Sequence, residues 1–143
     1  MTKTSIQARQ NERTDRSIEL RVAALIDNVA VVRTLAGAIG ALEDFDLDSV
    51  ADLRLAVDEA CTQLVCAAST GATLVTVVDP DDQALRIEVA VNCAGDGDVV
   101  VPGSFGWHVL SALVDEVGTF REPGDAGGQV FGIVLTKRRA ECD

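Results

Sequence analysis

The chain has 143 residues, 48% of them apolar, which makes one domain by length with enough apolar side chains for one core. Twelve Lys and Arg face 23 Asp and Glu, and the resulting net charge of −11 repels nucleic-acid phosphates and argues against direct nucleic-acid binding. No run of eighteen apolar residues occurs and the N-terminus is polar, so neither a membrane span nor a signal peptide is expected, and the expected location is cytoplasmic.

Residues 1–16 are polar and lack periodicity, which predicts a disordered tail; four cations against two acids give it +2 and leave −13 on the rest. SIELRVAA then alternates Ile18, Leu20 and Val22 on one side and reads as a first strand. A helix is predicted from Asp27 as N-cap through Val29, Val32, Leu35, Ala36 and Ile39, ending near Gly40. The acidic turn EDFDLD leads to Asp48 or Ser49 as the cap of a second, longer helix. On it Val50, Leu53, Val57, Cys61 and Leu64 recur at the three-to-four spacing of one buried face. Two strands over 72–78 and 84–91, separated by Asp79-Pro80-Asp81-Asp82, predict a hairpin. After the loop CAGDGDVVVPG a third helix is predicted over 105–115, then strands over 117–121 and 129–137 joined by EPGDAGG. Strands on one side and helices on the other make a two-layer α/β sandwich, here a single domain over 17–139 with 140–143 as a C-terminal tail.

The second helix also carries chemistry. Glu59 and Gln63 lie four residues apart on a face other than the apolar one, so a carboxylate and an amide project side by side. A general base next to a metal or phosphate contact needs that spacing, and an ordinary surface pair has it too. Cys61, Cys66, Cys93 and Cys142 form no C-x-x-C pair, and three of them fall inside predicted helix or strand, which points to reduced core thiols rather than a zinc site or a disulfide framework. His108 has no metal-ligand partner at helical spacing and reads as structural or solvent-facing. The acidic body serves solubility and equally complements a basic protein partner.

Two blocks carry a family resemblance. AVDEACTQL resembles the N-box, E-x-x-x-N, of the RsbW/SpoIIAB anti-sigma factors, serine kinases of the GHKL (Bergerat) ATPase superfamily. SFGWHVLSALVDEV is similar to that family's G2 box, a G-x-G followed by an apolar helix. Order, spacing and length fit over about 18–138, and RTLAGAIGALEDFD with PGSFGWHVLSAL looks most like the mycobacterial branch that antagonises sigma F. The resemblance implies a Bergerat-type mixed sheet covered on one face by three helices, with ATP and magnesium as cofactors. It implies Glu59 as the base acting on the attacking hydroxyl, and Gln63 at the magnesium position. Cys93, Gly95 and Gly97 would form the adenine-side G1 loop, Ser104 and Gly106 would meet the phosphates, and Arg33 on the first helix would contact partners. The partners implied are a sigma-F-like subunit of RNA polymerase, a STAS-domain anti-anti-sigma protein and a second copy of the chain.

Several of these positions depart from the family pattern. Gln63 stands for Asn, Cys93 for the G1 Asp, Ser104 for the first G2 glycine, and Gln129 follows Gly128 where a threonine is usual; only the six residues 98–103 remain for a lid over the triphosphate. A thiol accepts hydrogen bonds weakly, and losing a charge-assisted bond of about 1.5–3 kcal/mol costs one to two orders of magnitude in adenine affinity. Asp96 or Asp98 would restore the acceptor only by a register shift. The sequence therefore predicts an anti-sigma binding module whose ATP and magnesium site is weak or lost. The alternatives are an active ATP-dependent serine kinase of the STAS-domain partner, and an unrelated acidic α/β protein.

Overall fold

The computed structural model describes residues 12–140. Its first strand, β1 (Ile18–Ala23), keeps the alternation read from the sequence, but Leu20 and Val22 are only half-buried and Ile18 is exposed, because β1 lies at an edge of the sheet. Helix α1 (Ile26–Leu42) starts one residue before the expected cap. Leu25 is its extended N-cap, without a side-chain bond, and Asp27 lies inside the first turn near the positive end of the helix dipole. The helix also runs past Gly40. That glycine is buried where α1 meets the second helix, with Leu53 and Val50 at the distance of a missing Cβ, so it serves close packing rather than termination. The stop comes at Asp44, which takes the left-handed conformation at φ 64° while the Phe45 amide donates back to the Gly40 carbonyl at 3.1 Å.

Helix α2 (Leu47–Ala67) is capped by Asp46, not by Asp48 or Ser49: its carboxylate accepts from the Ser49 amide at 2.7 Å, which holds that carboxyl below its ordinary range. The predicted apolar face is there. Leu53, Val57, Cys61 and Leu64 are fully buried together with Ala56 and Ala60, while Val50 at the margin is half-buried. A hairpin follows from β2 (Thr73–Pro80) and β3 (Ala84–Cys93), each strand two residues longer at its C-terminal end than the sequence suggested. Asp81 holds the turn by accepting from the amides of Gln83 and Ala84 at 2.7 and 2.8 Å, which frees Pro80 to stay paired with Leu85. Helix α3 (Phe105–Leu113) ends before the expected Asp115, because Val114 turns extended and the Asp115 amide already donates to Thr136 of the sheet. The last strands are β4 (Glu116–Pro123) and β5 (Gln129–Arg138), joined through a 3-10 turn at Asp125–Gly127.

The strands form one sheet in the order β1-β2-β3-β5-β4. Each ladder is antiparallel, so the expected mixed sheet is replaced by an antiparallel one. The reason is the position of β5. The β3-α3-β4 crossover makes β3 and β4 run the same way, and β5 enters between them with opposite direction and pairs with both. The helices cover one face, where Leu85, Ile87, Val89, Phe131, Ile133 and Leu135 meet the α2 stripe in a single core. Of the residues read as an N-terminal tail, Thr14 is tied to the sheet through Asp79 (2.7 Å) and the Pro80 carbonyl (2.9 Å); residues 1–11 and 141–143, Cys142 among them, lie outside the described residues.

Replacing Leu53 by Ala should cost about 2–5 kcal/mol in urea unfolding, because a fully buried leucine leaves a cavity between two helices. The same change at Leu55, on the exposed side of α2, should stay within about 0.5 kcal/mol of the parent.

Candidate functional site

Burying one stripe of α2 turns the rest of that helix outward, and its C-terminal half lies beside the ends of β3 and α3. Glu59 and Gln63 meet as their spacing predicts: the Gln63 amide donates to a Glu59 carboxylate oxygen at 2.9 Å. Gly106, in the first turn of α3, lies against the same pair. A Cβ there would stand 3.3 Å from the Gln63 nitrogen and 3.9 Å from the Glu59 oxygen. The two sequence blocks are thus one place in the fold.

A shallow groove of about 360 Å³ opens next to them, lined by Gln63, Cys66, Cys93, Gly95, Gly97 and Asp98 among others. Its volume is within the range of small-molecule pockets. At its base Cys93 is 2% exposed, and burial pushes its thiol above the ordinary range. The loop after β3 is held closed from the sheet side. Gln129, 8% exposed, donates its amide to the Gly97 carbonyl at 2.7 Å; Arg121 donates to the Asp96 carbonyl at 3.0 Å and pairs with the Asp98 carboxylate. Asp98 therefore faces Arg121, and Asp96 takes part through its backbone carbonyl. The segment meant for a lid is anchored too, since Val100 is buried in the core.

At the start of α3 the Ser104 hydroxyl accepts from the Trp107 amide at 3.3 Å, so Ser104 caps the helix and uses one of the amides a phosphate would seek. Phe105 beside it is 83% exposed. Among the described residues no cluster of three His, Cys, Asp or Glu side chains is placed to hold a metal ion. Magnesium prefers near-octahedral oxygen ligands, and the pair at hand offers one carboxylate already bonded to the amide that would replace the family asparagine. These groups fit a magnesium–adenine nucleotide poorly. His108 is exposed, as read from the sequence, and so is Cys66, which had been expected in the core.

On the outer side of the helical layer Arg33 reaches across from α1 and pairs with Asp58 of α2 at 2.5 Å, both side chains more than a third exposed. Sequence reasoning singled out Arg33 and missed Asp58. It also missed Arg121 and Asn92, whose side chain bridges the Ser69 hydroxyl and the Asp125 amide at 3.1 and 2.9 Å. No spacing reports these pairs, which join residues 23 or more positions apart through the register of separate elements.

No family model matches the chain. It is 52% identical to the anti-sigma-F factor RsbW of Mycobacterium tuberculosis, in strain CDC 1551 / Oshkosh and equally in strain ATCC 25618 / H37Rv, over 98% of this chain and 84% of the relative. The chain belongs to the RsbW family of anti-sigma factors. Among the described residues no helix is long and apolar enough to cross a membrane.

The cysteines give a direct check on this geometry. In a Cys142→Ser variant, a disulfide reagent should label one thiol, Cys66, quickly, and reach Cys61 and Cys93 only on unfolding; two fast thiols would contradict the buried base of the groove. Burial pushes Cys61 up to about 12, so the native state disfavours its thiolate. Its contribution to stability is complete below the ordinary thiol range near pH 9 and should fall as pH rises from there toward 12, measurable as a declining melting temperature.

Proposed function

We propose that this chain is an anti-sigma factor that sequesters a sigma-F-like subunit of RNA polymerase, is released by a STAS-domain anti-anti-sigma protein, and does so without needing a nucleotide. The observation that carries the reading is the pairing of high identity to anti-sigma-F factors with a groove whose polar groups are spent on one another: Gln63 on Glu59, Gln129 on Gly97, Arg121 on Asp98. Sequestration needs a partner surface and a stable scaffold, and both are independent of that groove. The acidic body suits the basic, DNA-binding regions of a sigma subunit. ATP and magnesium have at most a weak, modulatory part in this reading, and the protein acts as a homodimer in the cytoplasm.

The alternative is the kinase, with Glu59 as base toward a serine hydroxyl of the STAS-domain partner. Glu59 and Gly106 favour it, since the residues that match the family's base and second G2 glycine lie side by side. Against it weigh the buried thiol of Cys93, which the resemblance aligns with the adenine-binding aspartate, and a short 98–103 segment anchored by Val100. Titration calorimetry with a purified sigma-F-type subunit should give the same affinity, within a few-fold, with and without ATP and magnesium; binding that vanished without nucleotide would refute the proposal. Labelled γ-phosphate should not pass measurably to a STAS-domain protein. Robust transfer by the parent, abolished in Glu59→Gln, would establish the kinase instead. Cys93→Asp with Gln63→Asn should raise adenine-nucleotide affinity by about an order of magnitude, since one buried acceptor and one ligand of family type return.

Arg33 is the residue assigned to partner contact. Arg33→Ala should weaken sigma binding by about 1–3 kcal/mol. Its half-exposed pair with Asp58 contributes no more than about 1 kcal/mol to folding, so the melting temperature should move little.

A further inference from the structure

The surface between α1 and α2 contains a second cation that the partner assignment does not use. A groove of about 430 Å³ runs there, lined by Arg33, Ala51, Arg54, Leu55 and Asp58. Its two arginines differ. Arg33 is already engaged by Asp58, whereas no ion pair or hydrogen bond of the Arg54 guanidinium occurs among the described residues. Most arginines of the described residues face a carboxylate, and Arg54 does not, although acids outnumber bases nearly two to one in the chain. The stem of Arg54 is held, however. Gly37 of α1 has no side chain, and a Cβ there would come within 2.8 Å of the Arg54 Cδ and 3.0 Å of its Cγ. The glycine lets the methylenes lie flat on α1 while the guanidinium projects at the rim of the groove. Leu55, 58% exposed, supplies an apolar contact beside it, and Ala51 keeps the floor low.

Taking the anti-sigma reading as its basis, we propose that Arg54 and Leu55 form an anchor for a segment of the sigma subunit that presents a carboxylate next to an apolar side chain. The guanidinium pairs with the carboxylate in fork geometry and Leu55 takes the apolar neighbour. Charge complementarity selects the occupant: on this acidic protein the groove is a local site of positive charge, and a carboxylate-bearing segment is attracted there while the basic regions of the same partner meet the acidic surface elsewhere. Arg33, held in place by Asp58, stands next to the anchor as its companion cation.

The test separates charge from packing. Arg54→Met keeps the methylenes on Gly37 and removes the charge; Arg54→Lys keeps a charge and loses the fork. Binding of the full-length variants to the purified sigma-F-type subunit is measured over a series of salt concentrations, with melting temperatures alongside. Arg54→Met should weaken binding about ten- to hundredfold and flatten its salt dependence, with an unchanged melting temperature, and Arg54→Lys should recover part of the loss. Leu55→Ser should weaken binding as well, whereas Leu42→Ser, at a still more exposed leucine at the end of α1, should not. Parent-like affinity and salt slope for Arg54→Met would overturn the proposal while leaving the anti-sigma reading intact. A change confined to self-association, seen by sedimentation, would overturn it also. A parent protein that fails to bind the sigma subunit at all would remove the anti-sigma reading and this inference together.

Discussion

The burial of one stripe of α2 against the antiparallel sheet decides what the rest of that helix presents. Leu53, Val57, Cys61 and Leu64, with Ala56 and Ala60 between them, leave no water at that contact. Once the stripe is fixed, helical geometry decides the rest. Glu59 and Gln63 are directed to the β3 end, and Arg54, Leu55 and Asp58 to the outer surface. The groove beside Gln63 and the surface of Arg54, Leu55 and Asp58 thus share one helix, separated by rotation about its axis and by distance along it. The small residues of α1 reinforce the arrangement: Gly37 and Gly40 let the two helices approach until the stem of Arg54 and the side chain of Leu53 fill the space where side chains would have been.

Groove and surface have diverged in their chemistry. In the groove polar groups are satisfied internally, by Gln129 on Gly97 and Arg121 on the Asp96 carbonyl and the Asp98 carboxylate. A ligand entering there has to replace bonds that already exist, at a cost of the order of 1 kcal/mol for each exchanged neutral hydrogen bond that is imperfectly remade. On the surface the opposite holds, since exposed leucines and an unengaged guanidinium gain contacts when something covers them.

Much of this was legible in the sequence because the apolar period of α2 and the alternation of β2 and β3 are strong signals over ten or more residues. The two blocks around Glu59 and Gly106 were legible for the same reason, each being local to one element. The boundaries were less so. Asp46, Asp48 and Ser49 all suit a helix cap, and only the backbone of Asp46 puts a carboxylate on the Ser49 amide. Gly40 looked like a stop because glycine usually marks one, yet here it marks contact between helices. Asp58 under Arg33, Gln129 on Gly97 and Arg121 on the loop depend on how separate elements align, which no local window contains. Val100 was read as lid and is core, since a three-valine run carries no sign of which valine points inward.

The place of β5 has a consequence for how the chain comes into being. It is made after β4 but lies inside the sheet, hydrogen-bonded to β3 on one side and β4 on the other. While a ribosome still holds those ten residues in its tunnel, β3 and β4 are two unjoined edges with a strand-wide gap, and Ile87 and Val89 have only half of their final neighbours. Elements emerge in order but the core closes last, at a single late step, so a nascent chain presents sticky strand edges until synthesis has passed β5. Folding of this protein is by topology an event that follows translation of the whole sheet, and its quality control in the cell falls on the interval between the two.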